Sequence, residues 1–316
     1  MAVNLDKPHL WRQDTKSSVD CYNKWFMRFA PVAFRETRVE VTKQVEQAIL
    51  DADDLRGLSP GLLRSRPGIL PTLRMSCCPP LAVDRLVGLA GVDKNLAKKM
   101  ELGELPEKMG AAALTLQLQR ITEVVSTLLD REILVWIRGG RAPTTTERYR
   151  ASAIVAGRMY RTVANDRLRG AWSNHQLSAL RAYLGSRGYR EFLGLGRTQY
   201  ERAKPGTYRL FVKMPAAMGE NSAICVDALV QPIARRPDRP PVLIKAESHV
   251  SFEQARKRKS VHLASALGLR MTYGDGAPLV LLLGGYCDGD YLGTQAAGGI
   301  DWVWQHRVAD IQAAGV

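Results

Sequence analysis

Two apolar runs in the C-terminal third of the chain carry isolated charges. Residues 224–230, Ile-Cys-Val-Asp-Ala-Leu-Val, hold Asp227, and residues 242–248, Val-Leu-Ile-Lys-Ala-Glu-Ser, hold Lys245 and Glu247. In a strand alternate side chains share a face, so Lys245 and Glu247 point the same way, and a paired neighbouring strand brings Asp227 beside them. Two acids and a lysine at one point can hold a hard divalent cation on oxygen ligands and set a water against a phosphodiester.

Phosphodiester hydrolysis needs an attacking water, a stabilised trigonal-bipyramidal phosphorane and a leaving oxygen that can depart charged. Mg2+ held by two carboxylates serves all three, because it lowers the pKa of the water and neutralises developing charge. Asp227 and Glu247 are the expected ligands, with the carbonyl of Ala246 as a further oxygen. Lys245 is expected to hold the nucleophile or the scissile phosphate as a point charge. A competing reading makes all three strand-end residues in solvent or a structural ion pair. Their setting inside strongly apolar runs weighs against it, since burying a charge without a partner is costly. Just beyond, Arg256-Lys257-Arg258-Lys259 opens a basic helix. Such a run is commonly a solvated face, but beside a metal site it would meet a phosphate backbone. Asp288-Gly289-Asp290 lacks the further oxygens of a metal loop and reads as a tight turn. Gly194-Leu195-Gly196 lacks the strand and helix that a dinucleotide loop requires.

The overall charge points the same way. Lys and Arg number 45 against 31 Asp and Glu, a formal net charge of +14, which favours a polyanionic partner, nucleic acid first, over an acidic small molecule. No apolar stretch reaches the length of a membrane span and no signal peptide opens the chain, so a cytoplasmic protein with no membrane association is expected. Five cysteines, with only Cys77 and Cys78 adjacent, form neither a disulfide framework nor zinc spacing. Five histidines (His9, His175, His249, His262, His306) are equally dispersed, and only His249, two residues past Glu247, is placed to reach the site.

The elements that must position these residues divide the chain in two. From 15 to about 170 the spacing of apolar residues is helical: an aromatic stripe of Tyr22, Trp25, Phe26 and Phe29, then helices over 38–51, 80–90, 111–129 and 145–163. Residues 82–100 have the outline of a helix-turn-helix, with Asp93 as N-cap and Lys94, Asn95, Lys98 and Lys99 shown to a partner; any short helical hairpin has the same outline. After about 170 the period changes. A helix over 174–184 leads through a Gly/Arg-rich linker to strands at 208–214, 223–230 and 242–247, the last two joined by a proline-rich connection that cannot be helix. A helix over 252–271, a central aliphatic strand at 278–284 and a closing amphipathic helix over 301–313 follow. The expected organisation is α+β: residues 1–170 as a helical region for DNA recognition and dimerisation, and 171–316 as a catalytic domain with an αβββαβ core around a mixed sheet.

An acid on one strand and a charged pair on the next, in this order, resembles the core of the PD-(D/E)XK nucleases. More closely, the sequence resembles the XamI-type restriction endonucleases. The likeness is carried by Leu-Pro-Thr-Leu-Arg-Met-Ser at 70–76, Cys-Pro-Pro-Leu-Ala-Val-Asp-Arg-Leu at 78–86, Thr-Tyr-Gly-Asp-Gly at 272–276, Gly-Ile-Asp-Trp-Val-Trp at 299–304, and the stretch around Trp25-Phe26-Met27-Arg28-Phe29-Ala30-Pro31. The resemblance implies a type II enzyme that cuts double-stranded DNA at a short palindrome with Mg2+, and a cognate methyltransferase that shields host DNA. A palindrome in turn suits a homodimer. One departure stands out: the family pattern on the third strand is acid-x-lysine, whereas here Lys245-Ala246-Glu247 has the charges exchanged. The charge inventory of the strand face is unchanged, but each group sits about two residues' rise from its family position.

Two other classes compete. A DNA-binding protein on a nuclease scaffold, catalytically impaired by the exchanged pair, would bind duplex with steep salt dependence and never nick it. A metal-dependent phosphohydrolase of small substrates would require a compact phosphate loop, which the sequence lacks.

Overall fold

A computed structural model of the chain describes residues 2–192, 204–215, 223–234, 240–274 and 278–316. The Gly/Arg-rich linker around Gly194 and Gly196, residues 235–239 of the proline-rich connection, and Asp275 and Gly276 lie outside the described residues.

In chain order the helices of the first half are α1 (Pro8–Asp51), α2 (Pro60–Ser65), α3 (Leu70–Met75), α4 (Val83–Ala90), α5 (Lys94–Glu101), α6 (Ala111–Leu128), α7 (Val135–Gly139) and α8 (Thr145–Ser186). They are followed by strands β1 (Arg190–Glu191), β2 (Thr207–Pro215), β3 (Ala223–Gln231) and β4 (Val242–His249). Helices α9 (Phe252–Arg258) and α10 (Val261–Tyr273), strand β5 (Leu279–Gly285), helix α11 (Gly289–Ala297) and strand β6 (Asp301–Trp304) complete the order, before a 3-10 segment over Gln305–Ala314. The fold is α+β, a helical region and a six-stranded mixed sheet, consistent with a PD-(D/E)XK-like core.

The chain divides into two compact units: Met1–Phe29 with Leu168–Val316, and Ala30–Arg167. The first 29 residues therefore group with the sheet and not with the helical region that follows them. Their polar contacts say why. The amides of Val3, Asn4 and Leu5 all donate to the Asp301 carboxylate at the start of β6, the Thr15 hydroxyl donates to the Cys287 carbonyl at 2.8 Å, and Trp11 meets Trp302 edge-on at 5.3 Å. These partners lie almost 300 residues away in sequence, beyond the reach of a periodicity argument.

The helical unit is built around a core in which Ile49, Leu70, Leu73, Leu86, Leu96, Leu118, Ile121 and Trp136 are almost wholly buried. Removing a large apolar side chain from water contributes about 2 kcal/mol in each case. α8 opens with a reciprocal capping box: the Glu147 amide donates to the Thr144 hydroxyl at 3.2 Å and the Thr144 amide donates to a Glu147 oxygen at 2.8 Å. α8 runs unbroken from the helix expected at 145–163 through the one expected at 174–184. α1 likewise absorbs the stripe at 22–29 and the helix at 38–51 across Pro31, a residue that lacks the amide donor and ordinarily interrupts a helix.

The sheet runs β1 to β6 in sequence order. β2–β3 and β3–β4 are antiparallel, and β1–β2, β4–β5 and β5–β6 are parallel. Parallel neighbours need a crossover, which α9 and α10 supply between β4 and β5 and α11 between β5 and β6. Each face of the sheet has its own core. Leu243, Leu281, Leu283, Trp302 and Trp304 pack with Ala255 of α9, Ala266 and Leu269 of α10 and Tyr291 of α11. Val242, Ile244, Val280, Leu282 and Val303 pack with Leu177, Leu180 and Leu184 of α8 and Ile311 of the 3-10 segment. β5 is buried at every residue, as its unbroken aliphatic run requires of a central strand.

Three sequence expectations fail here. Residues 301–304 are strand, and only 305–314 is helical, as a 3-10 segment: Trp302 and Trp304 enter one core and Val303 the other, a period of two that the neighbouring Val308 and Ile311 had disguised as a helical stripe. The helix expected over 252–271 is two, broken at Lys259–Ser260. Asp288 is no tight turn. Its carboxylate accepts from the Tyr291 amide at 3.0 Å and caps α11.

Candidate active site

β3 and β4 pair only over Ala228–Ile244, Leu229–Leu243 and Val230–Val242. Beyond that level β3 continues with β2 as far as Ala223, and β4 continues with β5 as far as His249. The sheet forks, and Asp227 and Lys245 stand at the point of divergence. Backbone groups left over in a fork must find other partners, and these two side chains provide them. Asp227 Oδ2 accepts the Ala246 amide at 2.8 Å, and Lys245 Nζ donates to the Cys225 carbonyl at 3.0 Å. The Lys245 ammonium also lies 3.7 Å from Asp227 Oδ2. A strand residue's N–H and C=O leave the same edge, so the Ala246 carbonyl faces the fork with its amide.

The β2–β3 ladder is irregular at the same level. Leu210 pairs Ala228 and Val212 pairs Val226, while Phe211 and Asp227 are skipped. Phe211 has φ 54°, a left-handed backbone that a bulky L-residue adopts only under strain. Tyr208 and Leu210 belong to one core, Val212 and Met214 to the other, so the hairpin turns over at this point and β3 leaves β4.

Glu247 occupies different surroundings. Its side chain is 5 % exposed, with Oε2 at 3.2 Å from His262 Nε2 of α10 and Oε1 at 3.1 Å from an Arg258 guanidinium nitrogen of α9 and 3.8 Å from His249 Nε2. Burial pushes the carboxyl up, but the His262 contact first, and then His249 and Arg258, outweigh it and hold Glu247 below the usual carboxylate range. Burial drives His249 down to about 4, so its imidazole is neutral near pH 7. Among the described residues, Glu247 Oε1 and both ring nitrogens of His249 and His262 are buried without a hydrogen-bond partner. The structure thus joins Asp227, Lys245 and Ala246 in the fork and sets Glu247, on the same strand, into a pocket of nitrogen donors. Sequence reasoning missed His262 and the pairing of Arg258 with Glu247. Neither leaves a local signal, because both partners arrive from helices folded back over β4.

Each cation of the basic run is paired with an acid. Arg256 meets Asp288 at 3.2 Å, Lys257 meets Glu253 at 2.6 Å, Arg258 meets Glu247 at 3.1 Å and Lys259 meets Asp290 at 3.1 Å. In the helical unit, α4 ends on Gly91 in the left-handed region and α5 begins from Asp93, whose side chain accepts the Asn95 amide. α5 buries Leu96, Ala97 and Met100 and exposes Lys94, Asn95 and Lys98. Lys94 pairs with Asp84 and Lys99 with Glu104. Exposed pairs of this kind hold weakly and yield readily to a phosphate.

The donor set suits a hard cation. Asp227 and Glu247 offer carboxylate oxygens, one of them an orphaned buried oxygen, and Ala246 offers a carbonyl. Among the described residues no group of three or more His, Cys, Asp or Glu side chains is arranged to hold a metal ion. No helix among the described residues is long and apolar enough to cross a membrane.

The fold is a forked mixed α+β sheet with an acid and a lysine in its split, consistent with a PD-(D/E)XK-like nuclease core. The sequence profile of the XamI restriction endonucleases matches residues 53–304, and the chain is 36 % identical over 313 residues, 99 % of each chain, to the type II restriction enzyme SalI of Streptomyces albus G. The chain belongs to the XamI restriction endonuclease family. No solved structure matches it.

Proposed function

We propose that this protein is a type II restriction endonuclease that hydrolyses phosphodiester bonds in double-stranded DNA at a short palindromic site with Mg2+. The single observation that supports it best is the fork itself. Asp227 and Lys245 are drawn together where the ladder opens, in a chain whose relative over its whole length is a type II restriction enzyme.

Asp227 and Glu247, with the Ala246 carbonyl, would hold Mg2+, which would supply a lowered water pKa and neutralise developing negative charge. Lys245 reaches the fork as a point charge that orients the attacking water or the scissile phosphate. It is held off Asp227 by the Cys225 carbonyl, and a phosphate oxygen would replace that carbonyl as its acceptor. The exchanged order of Lys245 and Glu247 is compatible with this, because Lys245 Nζ lies 3.7 Å from Asp227 Oδ2. Arg256, Lys257, Arg258 and Lys259 follow the site directly and grip the backbone, while Lys94, Asn95, Lys98 and Lys99 of α5 meet DNA from the helical region, which we assign to recognition and dimerisation. A homodimer presents two such sites to the two strands of a palindrome, and a cognate methyltransferase protects host DNA in the cytoplasm.

Incubation of purified protein with diverse plasmid DNA and Mg2+ tests the reading. Discrete fragments from the wild type, lost in Asp227→Asn and Lys245→Gln, are expected. Retarded but uncut DNA would instead favour the catalytically impaired DNA-binding protein, and restored cleavage by Lys245→Glu/Glu247→Lys would attribute that impairment to the exchanged pair.

A further inference from the structure

The four cations after β4 are not equivalent. Arg256, Lys257 and Lys259 pair with Asp288, Glu253 and Asp290, whose side chains are 24 %, 77 % and 57 % exposed. Arg258 pairs with Glu247, which is 5 % exposed, while its own side chain is 46 % exposed. One end of this pair is a candidate metal ligand sunk beneath α9 and α10. The other stands in water within a cationic run.

We infer that Arg258 couples DNA binding to metal binding by serving as the counter-cation of Glu247 until a divalent ion replaces it. The inference rests on the assignment of Glu247 to the metal site. A surface pair opens at little cost, so phosphates draw Arg256, Lys257 and Lys259 from their acids without consequence for the site. Drawing Arg258 away leaves a buried carboxylate with only the His262 and His249 imidazoles beside it, which is unfavourable unless another cation arrives. The 3.1 Å contact at Glu247 Oε1 carries no aligned hydrogen bond, so charge, not directional bonding, holds the guanidinium there, and a divalent ion supplies more of it. Arg258 and the metal therefore compete for one oxygen. DNA phosphates, by taking Arg258, favour the metal, and by linkage the metal favours DNA by the same factor.

Binding of Mn2+, as a paramagnetic stand-in for Mg2+, to the DNA-free full-length protein reads this directly by electron paramagnetic resonance. Arg258→Gln, and Arg258→Met as a second variant that keeps the aliphatic stem, are expected to bind Mn2+ roughly tenfold more tightly than the wild type, within the usual range of coupling between sites. Arg138→Gln, which opens an exposed pair with Glu132 in the helical unit, is expected to leave Mn2+ affinity within about twofold, as for an exposed pair. Thermal melts establish that each variant is folded. Unchanged or weaker Mn2+ binding in the folded Arg258 variants, with binding lost in Glu247→Gln, overturns the role of Arg258 and leaves the metal site standing. Unchanged binding in Glu247→Gln overturns the metal site itself, and the coupling with it.

Discussion

Buried charge is handled differently in the two units. In the helical unit the charges are fully matched. Arg148 donates to both oxygens of Asp54 at 2.7 and 3.1 Å, Arg74 to both oxygens of Glu101 at 2.9 and 2.6 Å, and Arg158 to Asp130 at 2.9 Å and to the Met75 and Cys77 carbonyls at 2.7 and 3.1 Å. In the sheet unit, Glu247, His249 and His262 are as deeply buried, yet Glu247 Oε1 and four imidazole nitrogens lack hydrogen bonds. Matched pairs fix a core, because every lone pair and proton is spoken for. An incompletely matched cluster retains affinity for a further ligand, since leaving buried polar atoms unpartnered is costly. At similar burial, the three ion pairs of the helical unit and the Glu247 cluster thus differ in their hydrogen bonding.

The largest expected effects set one unit against the other. Asp227→Asn should lower the cleavage rate at least about a hundredfold, the scale on which lost positioning is felt, with a urea midpoint close to that of the wild type. Asp130→Asn should do the reverse, costing about 3 kcal/mol as Arg158 loses its buried partner, with specific activity retained well below the melting temperature. Equal destabilisation by both would erase the distinction. Next in size, Trp136→Phe removes the indole donor that meets the Asp54 carbonyl at 2.7 Å and should cost about 2 kcal/mol in chemical denaturation, from the lost hydrogen bond and the smaller ring. A cost confined to a few tenths would mean that the helical core tolerates unmatched groups as the site does.

Smaller effects sharpen the picture. Phe211→Asn should stabilise by about 1 kcal/mol, because asparagine adopts the left-handed region more readily and the Phe211 ring is largely exposed. Lower stability in that variant would show that the ring contributes more by packing than its backbone costs. The least effect is a pH signature at the start of α8. The Arg141 hydrogen bond and the Thr144 amide depress Glu147 from 4.5 to about 2. A carboxylate with a depressed folded-state pKa contributes fully above its unfolded value and loses that contribution as pH falls through the folded one. The melting-temperature gap between wild type and Glu147→Gln should therefore be present at pH 6 and close between pH 4.5 and 2. A gap independent of pH would remove Glu147 from the account.

How much was legible depended on the range of the interaction. Helices α4, α5 and α6 and strands β2 to β5 stand where period and punctuation put them, because both are local properties of side-chain spacing. The Asp93 cap was legible for the same reason, as was the isolation of Asp227, Lys245 and Glu247 within apolar runs. The end of the chain misled, because Trp302, Val303 and Trp304 are apolar on both faces and carry too little polarity to reveal a period of two. The joining of α1 across Pro31 was equally hidden, since local propensity opposes it and tertiary packing decides it.

The sequence by itself determined the class of fold, the positive charge and the three side chains on which a phosphodiester chemistry could rest. These follow from composition and spacing, which folding does not change. Tertiary structure alone decided that β3 and β4 part company at Asp227, that residues 2–29 fold onto the sheet, and that Arg258 and His262 close over Glu247. Each of these joins residues through space that the chain separates in sequence, and the gain from burying and matching them exists only once the sheet and its helices are assembled.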